Sequence, residues 1–149
     1  MAEKYFKRYE AEELLPTIGD WLEKARKQKQ RIEGLDLELS RAVAQIMALG
    51  GSIPPAAELT KKKAERELSM ARLDEAINKI QETGCLVKDL DLGLVDFPSL
   101  LEGREIYLCW KLGEERIGFW HGIEEGFAGR KPLDDPSLDA PSPGSPRIH

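Results

Sequence analysis

The sequence has few of the residues from which disulfide frameworks and membrane spans are built. Its 149 positions include only two cysteines, Cys85 and Cys109, which are far apart and belong to no CxxC pair. This excludes a disulfide framework and indicates reduced thiols, as in a cytoplasmic protein. No apolar run approaches the roughly 20 residues that a membrane-spanning helix needs. Residues 1–16 lack the apolar segment of a secretory signal. We therefore expect a cytoplasmic protein that does not cross a membrane.

Positive charge is scarce in the second half of the chain. Residues 1–83 contain 15 Lys and Arg and 15 Asp and Glu, so their charges balance. Residues 84–149 contain 7 Lys and Arg but 12 Asp and Glu, which accounts for the net charge of −5. Phosphate contacts need clustered Lys and Arg, so we do not expect the second half to bind nucleic acid. Basic runs at 24–31 and 61–63 lack interleaved aromatic residues and indicate solvated helix faces.

The strongest regularity is a repeat of apolar residues in the first third of the chain. Steps of three and four residues connect eleven positions, of which only Gln28 is polar: Leu14, Ile18, Trp21, Ala25, Gln28, Ile32, Leu35, Leu39, Ala42, Ile46 and Leu49. A 3.5-residue period over five heptads is typical of a coiled-coil seam. It predicts a long helix over residues 11–49, which Gly34 can interrupt because glycine weakens a helix.

A second helix is predicted over residues 56–83, after the helix-ending segment GGSIPP. Its main apolar face is predicted to contain Leu59, Met70, Leu73, Ile77 and Ile80, with a smaller stripe of Ala64, Leu68 and Ala71 on another side. The short link requires the two helices to pack as an antiparallel hairpin.

The hairpin is longer than about 50 residues of sheet can cover, so part of its apolar surface remains exposed in a single copy. Exposed apolar stripes mark association, and we predict a homodimer through the helices, with another protein as a further partner. The alternative is a monomeric hairpin with scattered exposed leucines.

From Cys85 onward the pattern changes to short alternating segments. CLVKD and GLVDF are predicted to be strands, SLL a single turn, and GREIYLCW and RIGFWH the two arms of a hairpin. Ile106, Leu108 and Trp110 share one face of the first arm, and Tyr107 and Cys109 share the other. Neither face is fully polar, so we expect this sheet to be covered on both sides.

The predicted fold is α+β: a long antiparallel helical hairpin, resembling a coiled coil, followed by a small antiparallel β-sheet. A single domain is predicted over residues 1–131, with the hairpin at 11–83 and the β block at 85–131. Residues 132–149 contain five prolines and are predicted to be disordered.

Two segments give the chain a family resemblance. YFKRYEAEELLP near the start and KDLDLGLVDFPSLLEGREIYLCWKLGEERIGFWHGIEEGFAGRKPL after the helices resemble the uncharacterised prokaryotic family called domain of unknown function 2203. Lys7 and Glu12 differ from the family pattern, which has Thr or Ser and Asn there. The resemblance implies this fold and a cytoplasmic protein, and it brings no established activity.

The densest polar cluster lies in KDLDLGLVDFP. Asp89 and Asp91 point the same way from an extended strand, and Asp96 returns after a turn. Together with His121, Asp89 and Asp96 are candidate ligands for Mn, Fe or Zn, or an acid/base pair. The competing interpretation is that the aspartates build turns, and that His121 is a hydrogen-bonded core residue.

Further ligand-binding candidates are Glu114, Trp110, Trp120 and Arg130, beside the three aspartates. The tryptophans can line a pocket or form the core, and the second is favoured because a small sheet needs large buried side chains. Arg130 is expected to pair with one of the aspartates. Cys109 fits a buried structural thiol better than a nucleophile, although His121 is expected to lie one or two pairing positions away.

Two functions fit these patterns. The one favoured by the heptads is a non-enzymatic, dimerising scaffold with no cofactor. The alternative is a small metal- or ligand-binding protein, with hydrolysis as one activity, that uses the Asp/His cluster.

Overall fold

The computed structural model describes residues 4–48, 50 and 56–133. Two helices are followed by five strands: α1 Arg8–Ala48, α2 Ala56–Glu82, β1 Leu86–Asp89, β2 Leu94–Leu101, β3 Arg104–Lys111, β4 Phe119–Gly122 and β5 Lys131–Pro132. A short 3-10 turn, Phe127–Gly129, precedes β5. This confirms the predicted α+β order of two packed helices and an antiparallel sheet. The prediction that residues 132–149 are disordered is wrong for the first two, because Pro132 belongs to β5 and Leu133 is buried in the core. Residues 134–149 lie outside the described residues.

Helix α1 is continuous through Gly34, so the interruption that this glycine could allow does not occur, and Pro16 lies inside the helix. The helix begins at Arg8, where Lys7 replaces the usual capping hydroxyl. The carboxylate of Glu10 accepts the Lys7 amide at 2.8 Å instead, which satisfies one of the free N–H groups at the helix start. No helix within the described residues is both long and apolar enough to cross a membrane.

The chain forms two compact units, one comprising residues 23–77 and the other the remaining described residues. In the first unit α1 and α2 run antiparallel. Ion pairs join the helices at their edges: Arg31–Glu65, Asp36–Arg66 and Glu38–Lys62. On α1 the predicted seam is buried at Ala25, Ile32 and Leu35 and only partly buried at Leu39, Ala42 and Ile46.

Two positions on the buried face of α2 lie one residue earlier in the chain than predicted. Ser69 and Ala76 are buried, whereas Met70 is 38% exposed. Both patterns have steps of three and four residues, so periodicity alone does not distinguish them. Small side chains let helix backbones approach closely, and the packing therefore selects Ser69 over the more hydrophobic Met70.

The second unit has one hydrophobic core between the first turns of α1 and one face of the sheet. Its fully buried members include Phe6, Ile18, Leu22, Phe97 and Leu108. Ile106 and Trp110 face this core together with Leu108, as the alternation in the sequence predicts. Glu12 on α1 accepts the backbone amide of Ile117 at 3.0 Å, so this departure from the family pattern ties the helix to the loop before β4.

The sheet has the strand order β1-β2-β3-β4-β5, and every neighbouring pair is antiparallel. The segment SLL is not a turn, because β2 continues through it to Leu101. The chain reverses instead at Glu102 and Gly103, whose φ angles of 52° and 79° form a two-residue turn of type I′. This turn pairs Asp96 with Cys109 across β2 and β3.

Candidate functional site

Three chemically different side chains meet on the sheet face opposite the core. Asp96 on β2 is paired directly with Cys109 on β3, and His121 on β4 is paired with Tyr107, two residues before Cys109. One carboxylate oxygen, the Cys109 Sγ and one imidazole nitrogen lie within 4.8 Å of one another. All three residues are at least 97% buried. We call this cluster the Asp–Cys–His triad.

The hydrogen bonds of His121 define the protonation of its ring. Its Nδ1 lies 2.8 Å from the Gly122 carbonyl oxygen, which can only accept, so Nδ1 carries a hydrogen and donates it. Its Nε2 lies 3.0 Å from Oδ1 of Asp96. That second bond contains one proton, which the imidazole and the carboxyl group share. Nε2 is therefore the ring nitrogen that can release a proton and bind an ion.

Burial dominates the electrostatics of the triad. It raises the pKa of Asp96, an effect that the hydrogen bond and charge of His121 oppose. Burial also raises the pKa of Cys109 to about 11, with the Asp96 carboxylate adding to the rise and Arg130 opposing it. Without a bound cation the Cys109 thiol is thus protonated at neutral pH.

The triad lies in the wall of a cleft of about 310 Å³. Other lining residues are Lys88 and Asp89 at the end of β1, Tyr107, and Ile123 and Phe127 from the segment after β4. The Lys88 Nζ lies 5.2 Å from the centre of the Tyr107 ring, and that ring is 5.5 Å from the imidazole of His121. The cleft therefore combines one ammonium group with apolar walls and a buried polar floor.

Arg130 anchors the segment that follows β4 beside the triad. Its guanidinium group donates to both carboxylate oxygens of Glu114 and to the Cys109 carbonyl oxygen. It lies 3.9 Å from the ring centre of Phe119 and 4.7 Å from that of Phe127. Arg130 was predicted to pair with an aspartate, and this prediction is wrong: the β3–β4 loop brings Glu114 within reach instead.

The predicted aspartates separate into different roles. Asp96 joins the triad, while Asp89 accepts the Leu92 amide at 2.9 Å and so builds the turn between β1 and β2. Asp89 also lines the cleft, beside rather than within the triad. Asp91 is exposed in the same turn and does not line this cleft. Asp89 therefore builds a turn, as the competing interpretation predicts, whereas Asp96 belongs to the candidate site.

The remaining candidates lie outside the cleft lining. Trp110 is buried in the core, and its indole N–H donates to the Glu114 carbonyl oxygen at 2.8 Å. Trp120 packs against the core with the Lys131 Nζ 4.6 Å from its ring centre. Glu114 accepts the Lys111 amide as well as Arg130, so its carboxylate organises the loop.

Sequence reasoning did not recognise Cys109 as a partner of Asp96. The signal was the dipeptide Glu102-Gly103, which can form a two-residue hairpin turn in which both residues have positive φ. Placing the turn there pairs Asp96 with Cys109, whereas a turn at SLL does not. The expected proximity of Cys109 and His121 is correct, since His121 pairs with Tyr107, two residues before Cys109.

The geometry does not suit a cysteine nucleophile. Such a site needs an imidazole that accepts the thiol proton and a second group that orients the ring from its other nitrogen. Here Nδ1 bonds a carbonyl oxygen and Nε2 bonds Asp96, and the pKa of Cys109 is raised to about 11. The donor set of one oxygen, one sulfur and one nitrogen instead suits a transition-metal ion.

Comparison with known proteins gives a family without an assigned activity. Residues 4–133 match the family model described as "Uncharacterized conserved protein (DUF2203)". No curated protein and no solved structure matches the chain significantly. The match spans nearly all of the sequence, including both helices and the sheet with its triad. The chain therefore belongs to this family of uncharacterised conserved proteins.

Proposed function

We propose that the protein binds one divalent metal ion, zinc or iron(II), through Asp96, Cys109 and His121. The observation that carries this proposal is the approach of three different ligand atoms to within 4.8 Å of one another in a buried cluster beside a cleft. Aspartate and histidine alone also suit manganese, but a thiolate ligand favours zinc or iron.

The ligand count supports a site with an open position. Zinc sites that act on a substrate use three protein ligands and leave the fourth position for water or substrate, whereas structural sites are closed by four. The triad supplies three ligands, and the cleft supplies space for a fourth.

The surroundings of His121 support Nε2 as the ligand atom. Metal-binding histidines commonly donate their other N–H to a backbone carbonyl or carboxylate, which holds the ring in one orientation. The bond from Nδ1 to the Gly122 carbonyl oxygen has this form. A metal ion would replace the proton now shared with Asp96.

Charge balance also supports a divalent ion. The Asp96 carboxylate and the Cys109 thiolate together supply two negative charges, and the imidazole binds as a neutral ligand. The Arg130 guanidinium, bonded to the Cys109 carbonyl oxygen, favours the thiolate that the metal requires. The unloaded cluster is neutralised by protons instead, which explains how three polar groups remain buried without the ion.

Cobalt(II) titration of chelator-treated protein tests the proposal, since a cobalt–thiolate bond absorbs in the near ultraviolet. We expect this absorption in the wild type and in Cys85→Ala, and its loss in Cys109→Ser. Loss of a group that only orients a metal ligand lowers metal affinity by up to about 100-fold. Since His121 is itself proposed as a ligand, His121→Ala should lower the affinity for cobalt by at least this factor. Circular dichroism checks that each variant is folded.

Cys85→Ala is a matched control for Cys109→Ser, because both cysteines are buried and only Cys109 belongs to the triad. Absence of the absorption in folded wild-type protein, or its persistence in Cys109→Ser, contradicts the proposal.

A second function, self-association through α2, is favoured by a separate observation. Ala64, Leu68 and Ala71 are exposed at helical spacing, and Leu68 is 51% exposed. The α1 seam predicted to drive dimerisation is buried instead at Ala25, Ile32 and Leu35. A dimer would use exposed apolar surface, to which the smaller α2 stripe and Leu37, Val43 and Met47 of α1 contribute, and this suits a scaffold that carries the metal site.

A further inference from the structure

We propose that the cleft binds a small oxyanion, a phosphate or carboxylate group, with one oxygen on the metal ion and another on the ammonium group of Lys88. This inference rests on the metal site proposed above and adds the class of ligand that completes it.

Lys88 lies where an anion beside the metal would need a second contact. It lines the cleft that contains the triad, and its Nζ lies over the face of Tyr107, whose ring is in turn packed against the imidazole of His121. An aromatic face attracts a cation without using its N–H donors on an acceptor oxygen. The ring therefore holds the ammonium close to the metal ligand while its donors are directed to a bound oxygen.

The carboxylates of the cleft have other partners. Asp89 accepts the Leu92 amide, and Glu125 accepts the Gly122 amide and the Lys131 ammonium. The bond with Lys131 is the main reason that the pKa of Glu125 is lowered. Asp96 is assigned to the metal ion. Lys88 is the one cationic side chain among the described residues that line this cleft.

Lys88 supplies the positive charge that an anion at the open position needs. With Asp96, thiolate Cys109 and neutral His121 bound, a divalent ion has no net charge left, and the lining carboxylates Asp89 and Glu125 already have hydrogen-bond donors. Ile123 and Phe127 form apolar sides of the cleft and are 50% and 40% exposed.

Size restricts the anion to a small one. A cleft of about 310 Å³ lies at the lower end of the range for small-molecule sites. A phosphate or carboxylate group with a short substituent fits this space and can bind the metal ion through one oxygen and the Lys88 ammonium group through another. The same two-point contact fits either group.

The test uses the cobalt-loaded full chain, titrated with inorganic phosphate and, separately, with acetate, while the visible absorption of the metal is recorded. We expect a saturable change with at least one of the two anions. Lys88→Gln should weaken the binding of that anion by at least about 10-fold, because a charge-assisted hydrogen bond contributes about 1.5–3 kcal/mol. The near-ultraviolet band from Cys109 should not change.

Lys111→Gln is the matched control, since it removes the same charge from β3 outside the cleft lining. A thiolate band with no response to either anion overturns the oxyanion inference and leaves the metal site intact. A response that Lys88→Gln and Lys111→Gln weaken equally also overturns it, since general charge then accounts for the binding. Loss of the thiolate band itself contradicts the metal site.

Discussion

At the level of single residues, burial makes the Cys85 thiol unreactive. Cys85 is 1% exposed, donates its thiol hydrogen to the Ile80 carbonyl oxygen at 3.3 Å, and accepts one from the Thr83 hydroxyl. Burial raises its pKa to about 11 from the ordinary 9.0, with the Thr83 bond opposing the rise. The thiol is therefore packed as an apolar group that holds a proton.

Alkaline pH should destabilise the protein through Cys85. Because the folded-state pKa is raised, the unfolded chain loses the thiol proton first, and stability falls as the pH rises from 9.0 to about 11. The difference corresponds to roughly 3 kcal/mol. Urea unfolding of wild type and Cys85→Ala across this pH range measures it. Cys109 titrates in both proteins, so its effect cancels in the comparison, and equal losses of stability contradict the prediction.

The structural role of a residue was predictable from the sequence where it depends on the size and polarity of that side chain alone. Tryptophans in a small sheet belong in its core because they bury the most area, and Trp110 does so. An aspartate followed by a turn bonds backbone amides, and Asp89 does so. The partner of Asp96 was not predictable in this way, since it lies on another strand.

At the level of elements, Pro98 lies inside β2, just before the SLL segment that the sequence predicts to be a turn. Proline normally argues against a strand with neighbours on both sides, because it has no N–H to donate. In β2 the Pro98 carbonyl oxygen accepts the Phe6 amide at 2.7 Å. The N and C=O of one strand residue point to the same side, so Pro98 turns its nitrogen away from β3 and no bond of that ladder is lost.

The two turns that flank β2 should respond differently to a methyl group. Gly103 has φ +79° and open space around it, so Gly103→Ala should cost roughly 1–2 kcal/mol through backbone conformation alone. Gly93 has φ +70°, and an added Cβ would lie 2.6 Å from the Cβ of Leu112. Gly93→Ala should therefore cost about 1–3 kcal/mol more, the usual effect of overpacking.

Urea unfolding of both glycine variants beside wild type measures this difference. Because the two substitutions are chemically identical, the comparison isolates the contact with Leu112. Equal destabilisation would mean that the β1–β2 turn moves away from Leu112 at little cost.

At the level of the whole molecule, the stripe on α2 predicts the oligomeric state. We expect the wild type to sediment at about twice its mass of 16.8 kDa, and Leu68→Glu to sediment as a single chain. A charge at the centre of a buried apolar contact would have to be desolvated, which opposes association. Sedimentation velocity at several protein concentrations provides the measurement.

Lys63→Glu is the control, because Lys63 is exposed on another side of α2. It should leave the mass at the dimer value. A wild type of 16.8 kDa at all concentrations contradicts self-association, and the metal site would then belong to a monomer.

The sequence by itself determined the two helices, the antiparallel sheet that follows them and their order. Apolar periods of 3.5 and 2 residues follow from helix and strand geometry, and a short link allows only antiparallel neighbours, so these features are local. Only the tertiary structure decided which face of α2 is buried and which side chains meet on the sheet. Ser69 replaces Met70 in the interface because helix backbones pack closely. Asp96, Cys109 and His121 meet because the turn at Glu102 and Gly103 aligns three strands, and a one-residue shift would send each side chain to the opposite face.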